Sequence, residues 1–140
     1  MATEIVNKGK NVAKKYFTDL DLKFGANPVT NDVNLKSDSD AIRRAVKNLV
    51  LTDNFERPFK PGIGANIRGL LFELTGEDLV DEVELRIKKL LRNFEPRIDN
   101  IKIVASEDAL DSNELAVSIY YDIKNDPRPQ QLEIILNRIR

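Results

Sequence analysis

Apolar and polar positions change period several times along the chain, and each change marks an element. Leu20, Leu22 and Phe24 alternate with Asp21 and Lys23, the period of a half-buried strand, and Gly25-Ala26-Asn27-Pro28 follows as a turn. A short second strand, Val33 to Lys36, is placed to pair back across that turn. Ser37 and Asp40 have capping-box spacing, and Ala41, Ile42, Ala45, Val46, Leu49 and Val50 then recur at helical period, with Arg43, Arg44 and Lys47 outside. Thr52 to Gly64, with Pro58, Pro61 and Gly62, reads as an irregular surface connection anchored by Phe55, Phe59 and Ile63. A short helix over Ala65 to Leu74 presents Ile67, Leu70, Leu71 and Leu74, and Thr75-Gly76 breaks it.

The strongest helical pattern comes next. Thr75 and Asp78 form a second capping box, and Leu79, Val80, Val83, Ile87, Leu90, Leu91 and Phe94 make one apolar stripe. Asp81, Glu82 and Glu84 lie early in it and Lys88, Lys89 and Arg92 late, matching the helix dipole. The stripe stops at Phe94-Glu95-Pro96-Arg97, where Pro96 has no N–H and forces Glu95 out of helical dihedrals. Beyond it the period becomes two. Ile101, Ile103 and Ala105 alternate with Lys102 and Val104, and a polar turn runs from Glu107 to Ser112. Leu115, Val117, Ile119, Tyr121 and Ile123 then face one way, with Ala116, Ser118, Tyr120 and Asp122 facing the other. Asn125-Asp126-Pro127-Arg128-Pro129 breaks the sheet before Leu132, Ile134 and Leu136 alternate again.

This order predicts an α+β fold: an antiparallel sheet of C-terminal strands packed with two to three helices, plus an N-terminal hairpin or arm. Residues 1–15 read as a polar arm and 16–140 as a single domain. In the last strand Ile135 and Ile139 lie opposite Leu132, Ile134 and Leu136, so the segment is apolar on both sides. It is either an interior strand covered on both faces or an edge that another chain extends.

Composition narrows the function. The chain has 140 residues, 22 Lys plus Arg against 23 Asp plus Glu, and a net charge of -1, which supplies no broad positive field for nucleic acid. With no Cys and no His, thiol and imidazole chemistry are excluded, and any catalysis falls to carboxylates, lysines or hydroxyls. No stretch has the pattern of a signal peptide or membrane span, so the chain reads as soluble and intracellular. No cofactor or metal is expected. Gly62-Ile63-Gly64 lacks the following Lys-Ser/Thr of a phosphate loop. Asp38, Asp40, Glu77, Asp78, Asp81 and Glu82 sit at helix starts, where acids are favoured without an ion. Asp19, Asp21, Glu107, Asp108 and Asp111 occupy strand and turn positions suited to solvation.

Two charge clusters remain, Glu56-Arg57 before Pro58 and Glu95 and Arg97 around Pro96. Each is an internal clamp, with Arg57 or Arg97 forked onto a carboxylate or onto helix C-terminal carbonyls, or a pair of charges offered to a partner.

The run Ile42 to Phe72, with Leu51-Thr52, Glu56-Arg57, Phe59, Pro61, Gly64 and Leu70-Leu71-Phe72-Glu73, together with Phe94-Glu95-Pro96-Arg97, resembles the baseplate wedge family of contractile-tailed phages. The pattern is shared with related subunits of type VI secretion and of phage-tail-like bacteriocins, and covers roughly Val33 to Arg140. Two departures stand out: Phe55 where family members often carry Gly, and an N-terminal arm with no counterpart. The resemblance implies a non-enzymatic structural protein of the virion tail baseplate, assembled in the host cytoplasm in sixfold copies. Its implied partners are other wedge subunits, the tail sheath protein and the tail tube, with no nucleic acid and no membrane. It makes Glu95, Pro96 and Arg97 the contact with neighbouring wedge subunits and leaves Glu56 and Arg57 internal. It also gives Leu132, Ile134, Ile135, Leu136 and Ile139 a role in strand exchange that templates the first sheath ring. The alternative is a lysozyme-like peptidoglycan hydrolase using Asp108 or Asp111 with Glu114.

Overall fold

The computed structural model describes residues 17–73, 77–107, 114–124, 126 and 128–137. The expected N-terminal arm, the Thr75 cap, the turn after Glu107 and Ile139 lie outside these residues. The chain divides into two compact units, Met1–Asp38 and Ser39–Arg140.

In the first unit, β1 (Thr18–Leu20) pairs antiparallel with β2 (Leu35–Ser37), in the register Thr18↔Ser37 and Leu20↔Leu35. A hairpin forms as predicted, but β2 is displaced to Leu35–Ser37 from the expected Val33 to Lys36, and β1 precedes the Leu20–Phe24 alternation and meets it only at Leu20. Asp21 is the reason: its carboxylate accepts from the Lys23 N–H at 3.2 Å and its carbonyl from the Phe24 N–H at 2.8 Å. This local turn overrides the alternation and puts Phe24 at φ 51°. Leu20, Leu22, Phe24 and Leu35 are exposed, not half-buried as their spacing suggested.

The second unit is α+β. Helix α1 (Asp38–Leu51) buries Ala41, Ile42, Val46, Leu49 and Val50, the predicted stripe without Ala45. Helix α2 (Ile67–Glu73) buries Ile67, Leu70 and Leu71. Helix α3 (Glu77–Phe94) buries Leu79, Val83, Ile87, Leu90 and Leu91, carries Glu77 and Asp78 in its first turn and Arg92 in its last, and packs on α2 and on the sheet.

The sheet has the order β3-β4-β5, from Ile98–Glu107, Glu114–Ile123 and Pro129–Asn137, and is antiparallel throughout. Register aligns one apolar face across it: Ile103↔Ile119↔Leu132 and Ala105↔Val117↔Ile134, all buried. Between Asp99 and Lys102 the β3 register shifts, so that Asn100 and Ile101 oppose Tyr121, with Asn100 at φ 52°. The extra residue reverses the parity of the strand. Ile98 is therefore buried together with Ile103 and Ala105, and Ile101, expected on that face, is half-buried.

Candidate functional site

Glu95 follows the last residue of α3 and still donates its N–H to the Leu91 carbonyl at 2.9 Å. Pro96 prevents another turn, and Arg97 leads into β3, its carbonyl accepting from the Lys124 N–H at 2.9 Å beside the end of β4. Glu95 is 4% exposed, one of two buried charged residues among those described. Its carboxylate takes a two-pronged fork from Arg97, Nε to Oε1 at 2.6 Å and Nη2 to Oε2 at 2.7 Å, with the Arg97 N–H adding a longer bond at 3.4 Å. The Arg97 side chain is 22% exposed and Pro96 is exposed. The corner therefore presents Pro96 and the outer side of Arg97, while Glu95 holds the guanidinium from beneath.

That arrangement extends into the core. The Tyr121 hydroxyl is buried and, among the described residues, has no hydrogen-bond partner. Burial raises its pKa, Arg43 opposes the rise, and the negative charge of Glu95 adds to it.

The other charge cluster behaves differently. Glu56 Oε2 accepts the Asp53 N–H at 2.9 Å and so closes its own loop, whereas the Arg57 side chain is exposed. Ile63 anchors the connection as expected. Phe55 and Phe59 do not: they are 81% and 101% exposed, with φ of 66° and 68°. The loop turns back on itself so tightly, Phe55 N–H to Pro61 O at 3.0 Å, that both rings are directed outward. Gly64 permits the closure at φ 152°, since a Cβ there would come within 2.6 Å of the Asp53 backbone.

Strand β5 is an edge, pairing with β4 on one side only among the described residues. Among the described residues no second strand pairs with β5 and its outward face is not covered at Ile135, as the edge reading from sequence expects. Leu132, Ile134 and Leu136 are core side chains, so a partner reaches only their backbone; Ile135 stands on the opposite face, 60% exposed. The other edge is treated differently. Glu84 of α3 reaches over β3 and accepts the Ala105 N–H at 2.8 Å, a donor that β4 leaves unused.

Of the hydrolase carboxylates, Asp108 and Asp111 lie outside the described residues, and Glu114 is half-buried at the start of β4. Asp21 is buried but serves its turn and lies 4.0 Å from Lys36 Nζ. No grouping of three potential metal ligands occurs among the described residues.

Residues 36–128 match the family model described as baseplate wedge protein gp25. The baseplate wedge protein gp25 of Enterobacteria phage T4 is 29% identical over 116 residues, which span 81% of this chain and 84% of that protein. Among solved structures, a candidate tail lysozyme from Geobacter sulfurreducens superposes with a TM-score of 0.68 at 21% identity, covering 76% of this chain and 96% of its own. A chain of the sixfold-symmetrised anti-feeding prophage baseplate gives 0.59 at 17% identity, covering 89% and 88%. These likenesses to solved structures are of fold. With a family match that takes in α1 to β4 and the whole Glu95-Pro96-Arg97 corner, the chain belongs to the baseplate wedge protein gp25 family.

Proposed function

We propose that this chain is a non-enzymatic structural subunit of a contractile-tail baseplate, present in multiple copies, that joins neighbouring wedge subunits to the first ring of sheath. Docking uses the corner, with Pro96 and the outer side of Arg97 as the contact and Glu95 as the residue that positions Arg97. Sheath initiation uses β5, whose outer edge accepts a strand from a sheath or sheath-like chain. The observation that carries this reading is the asymmetry of the sheet: Glu84 occupies a backbone donor of β3, while β5 pairs on one side only among the described residues. An incoming strand gains main-chain hydrogen bonds at β5 without disturbing Leu132, Ile134 or Leu136 in the core. Membership of the wedge family and a shared fold with a baseplate chain support the setting, a virion or prophage-derived tail.

The hydrolase alternative draws no support from the described carboxylates, and the likeness to a candidate tail lysozyme is one of fold. Co-expression with the wedge and sheath subunits of the same tail tests the proposal. Arg97→Ala, if folded, is expected to lose wedge association while retaining the isolated fold, and normal association would overturn the corner's role. Clearing of purified cell wall by the isolated chain, abolished by a carboxylate substitution, would overturn the non-enzymatic reading.

A further inference from the structure

A shallow groove lies between the Thr52 to Gly64 connection and the last turns of α3, with a volume of about 430 Å³. Phe55, Pro61, Leu90 and Phe94 line it with apolar surface, and Lys89 supplies positive charge beside Arg86, which is paired with Glu82. The loop wall is well tied. Besides the Phe55 to Pro61 bond, the Lys60 N–H reaches Arg57 O at 3.3 Å, the Ile63 N–H reaches Lys60 O at 3.2 Å, and the Ala65 N–H reaches Thr52 O at 3.3 Å. Within this loop Phe55 and Phe59 combine two unfavourable features, a large ring in water and a left-handed backbone that Gly or Asn adopts more readily. Neither feature helps the isolated domain. Rigidly displayed aromatic rings beside an apolar recess are what a protein interface uses as its anchors.

Charge indicates the occupant. Loop and helix end carry Arg57, Lys60, Lys89 and Arg92 against Asp53, which lies 3.7 Å from Arg68, and Glu56, which accepts the Asp53 N–H; Arg86 and Glu82 offset each other at 2.6 Å, so the excess is positive. We infer that this groove receives an acidic amphipathic segment of a different wedge subunit, one apolar side chain entering between Phe55 and Phe94 and flanking carboxylates meeting Lys89 and its neighbours. The inference rests on the wedge reading above and adds a second contact beside the Glu95-Pro96-Arg97 corner. A recess of this volume takes a few large side chains, which suits a segment and not a folded domain.

The test places a photo-reactive benzophenone amino acid at position 55, lets tails assemble, and identifies the cross-linked peptide by mass spectrometry. An acidic segment of another wedge subunit is expected. Cross-linking to a second copy of this chain, to tube or sheath, or to a basic segment overturns the inference. So does the absence of a cross-link in tails that contain the chain, a result that leaves the wedge reading standing. Absence of the chain from purified tails removes both. A paired variant separates docking from folding. Phe55→Asn with Phe59→Asn is expected to keep or raise the Tm by a few degrees, because both positions have positive φ, and to weaken association with co-expressed wedge subunits about tenfold or more. A lowered Tm with unchanged association would make the rings structural and overturn the inference. Lys89→Glu is expected to weaken association about tenfold, with the wild-type affinity falling as salt rises; indifference to both would remove the acidic occupant.

Discussion

Removing Arg97 should damage the fold more than removing Glu95, although they form one pair. Glu95 is nearly sealed at 4% exposure, so Arg97→Ala leaves a carboxylate without its cation and with little access to water. The 22% exposure of Arg97 lets some solvent follow, which lowers the cost from the fully buried range to about 2–3 kcal/mol. Glu95→Ala leaves a guanidinium on a long stem that turns outward to water, and costs about 1–2 kcal/mol. The double variant has no stranded charge and loses mainly packing, again about 1–2 kcal/mol. The singles thus sum to about 4 kcal/mol against about 1.5 for the pair, a coupling of about 2.5 kcal/mol. Urea denaturation of the four proteins measures it, and thermal melts should shift by about 3–5 °C per kcal/mol for a chain of this size. Coupling below about 0.5 kcal/mol would show that the fork is no better than solvent and refute Glu95 as the residue that positions Arg97. Arg97→Lys should recover only part of the loss, because an ammonium cannot reproduce the fork.

Tyr121→Phe removes a buried hydroxyl with no partner among the described residues and is expected to raise stability by about 1 kcal/mol at neutral pH, read by urea denaturation. Its folded pKa is raised, so the native state keeps the phenol proton longer than the unfolded chain does. The associated stability is therefore intact below about pH 10 and is lost as pH rises through the folded value; the phenylalanine variant should show a shallower decline there. Gly64→Ala is expected to cost about 2–4 kcal/mol, since the new methyl meets the Asp53 backbone at 2.6 Å and no flexible side chain can yield. Glu84→Ala frees the Ala105 N–H, which should cost about 1–2 kcal/mol and raise self-association at high concentration in light scattering; Glu84→Gln, which keeps an acceptor, should behave as wild type.

Where the chain repeats, the sequence was readable. The stripe of α3 and the alternation of β4 set helix, sheet face and much of the core, because a regular period leaves one side for burial. Three features escaped that logic. Asp21 ended β1 by bonding its own backbone, a local competition that alternation does not register. One extra residue near Asn100 moved Ile98 onto the buried face, and a bulge has no signature in apolar spacing. Phe55 and Phe59 read as anchors because aromatic residues are usually buried, yet in an irregular connection no period tells an inward ring from an outward one. The Glu95 and Arg97 spacing suggested both a clamp and a docking pair. The structure gives the clamp, and with Glu95 beneath and Arg97 partly outside, the clamp itself can set the docking surface.

Under the proposed function this subunit links wedge to sheath through the corner and the β5 edge. A reconstruction of the assembled tail at side-chain resolution tests it most directly. The chain is expected between tube and sheath in sixfold copies, with Pro96 and Arg97 against another wedge subunit and a strand of a sheath or sheath-like chain hydrogen-bonded along β5. A β5 edge facing solvent in the assembled particle, or a partner strand added at β3, would contradict it.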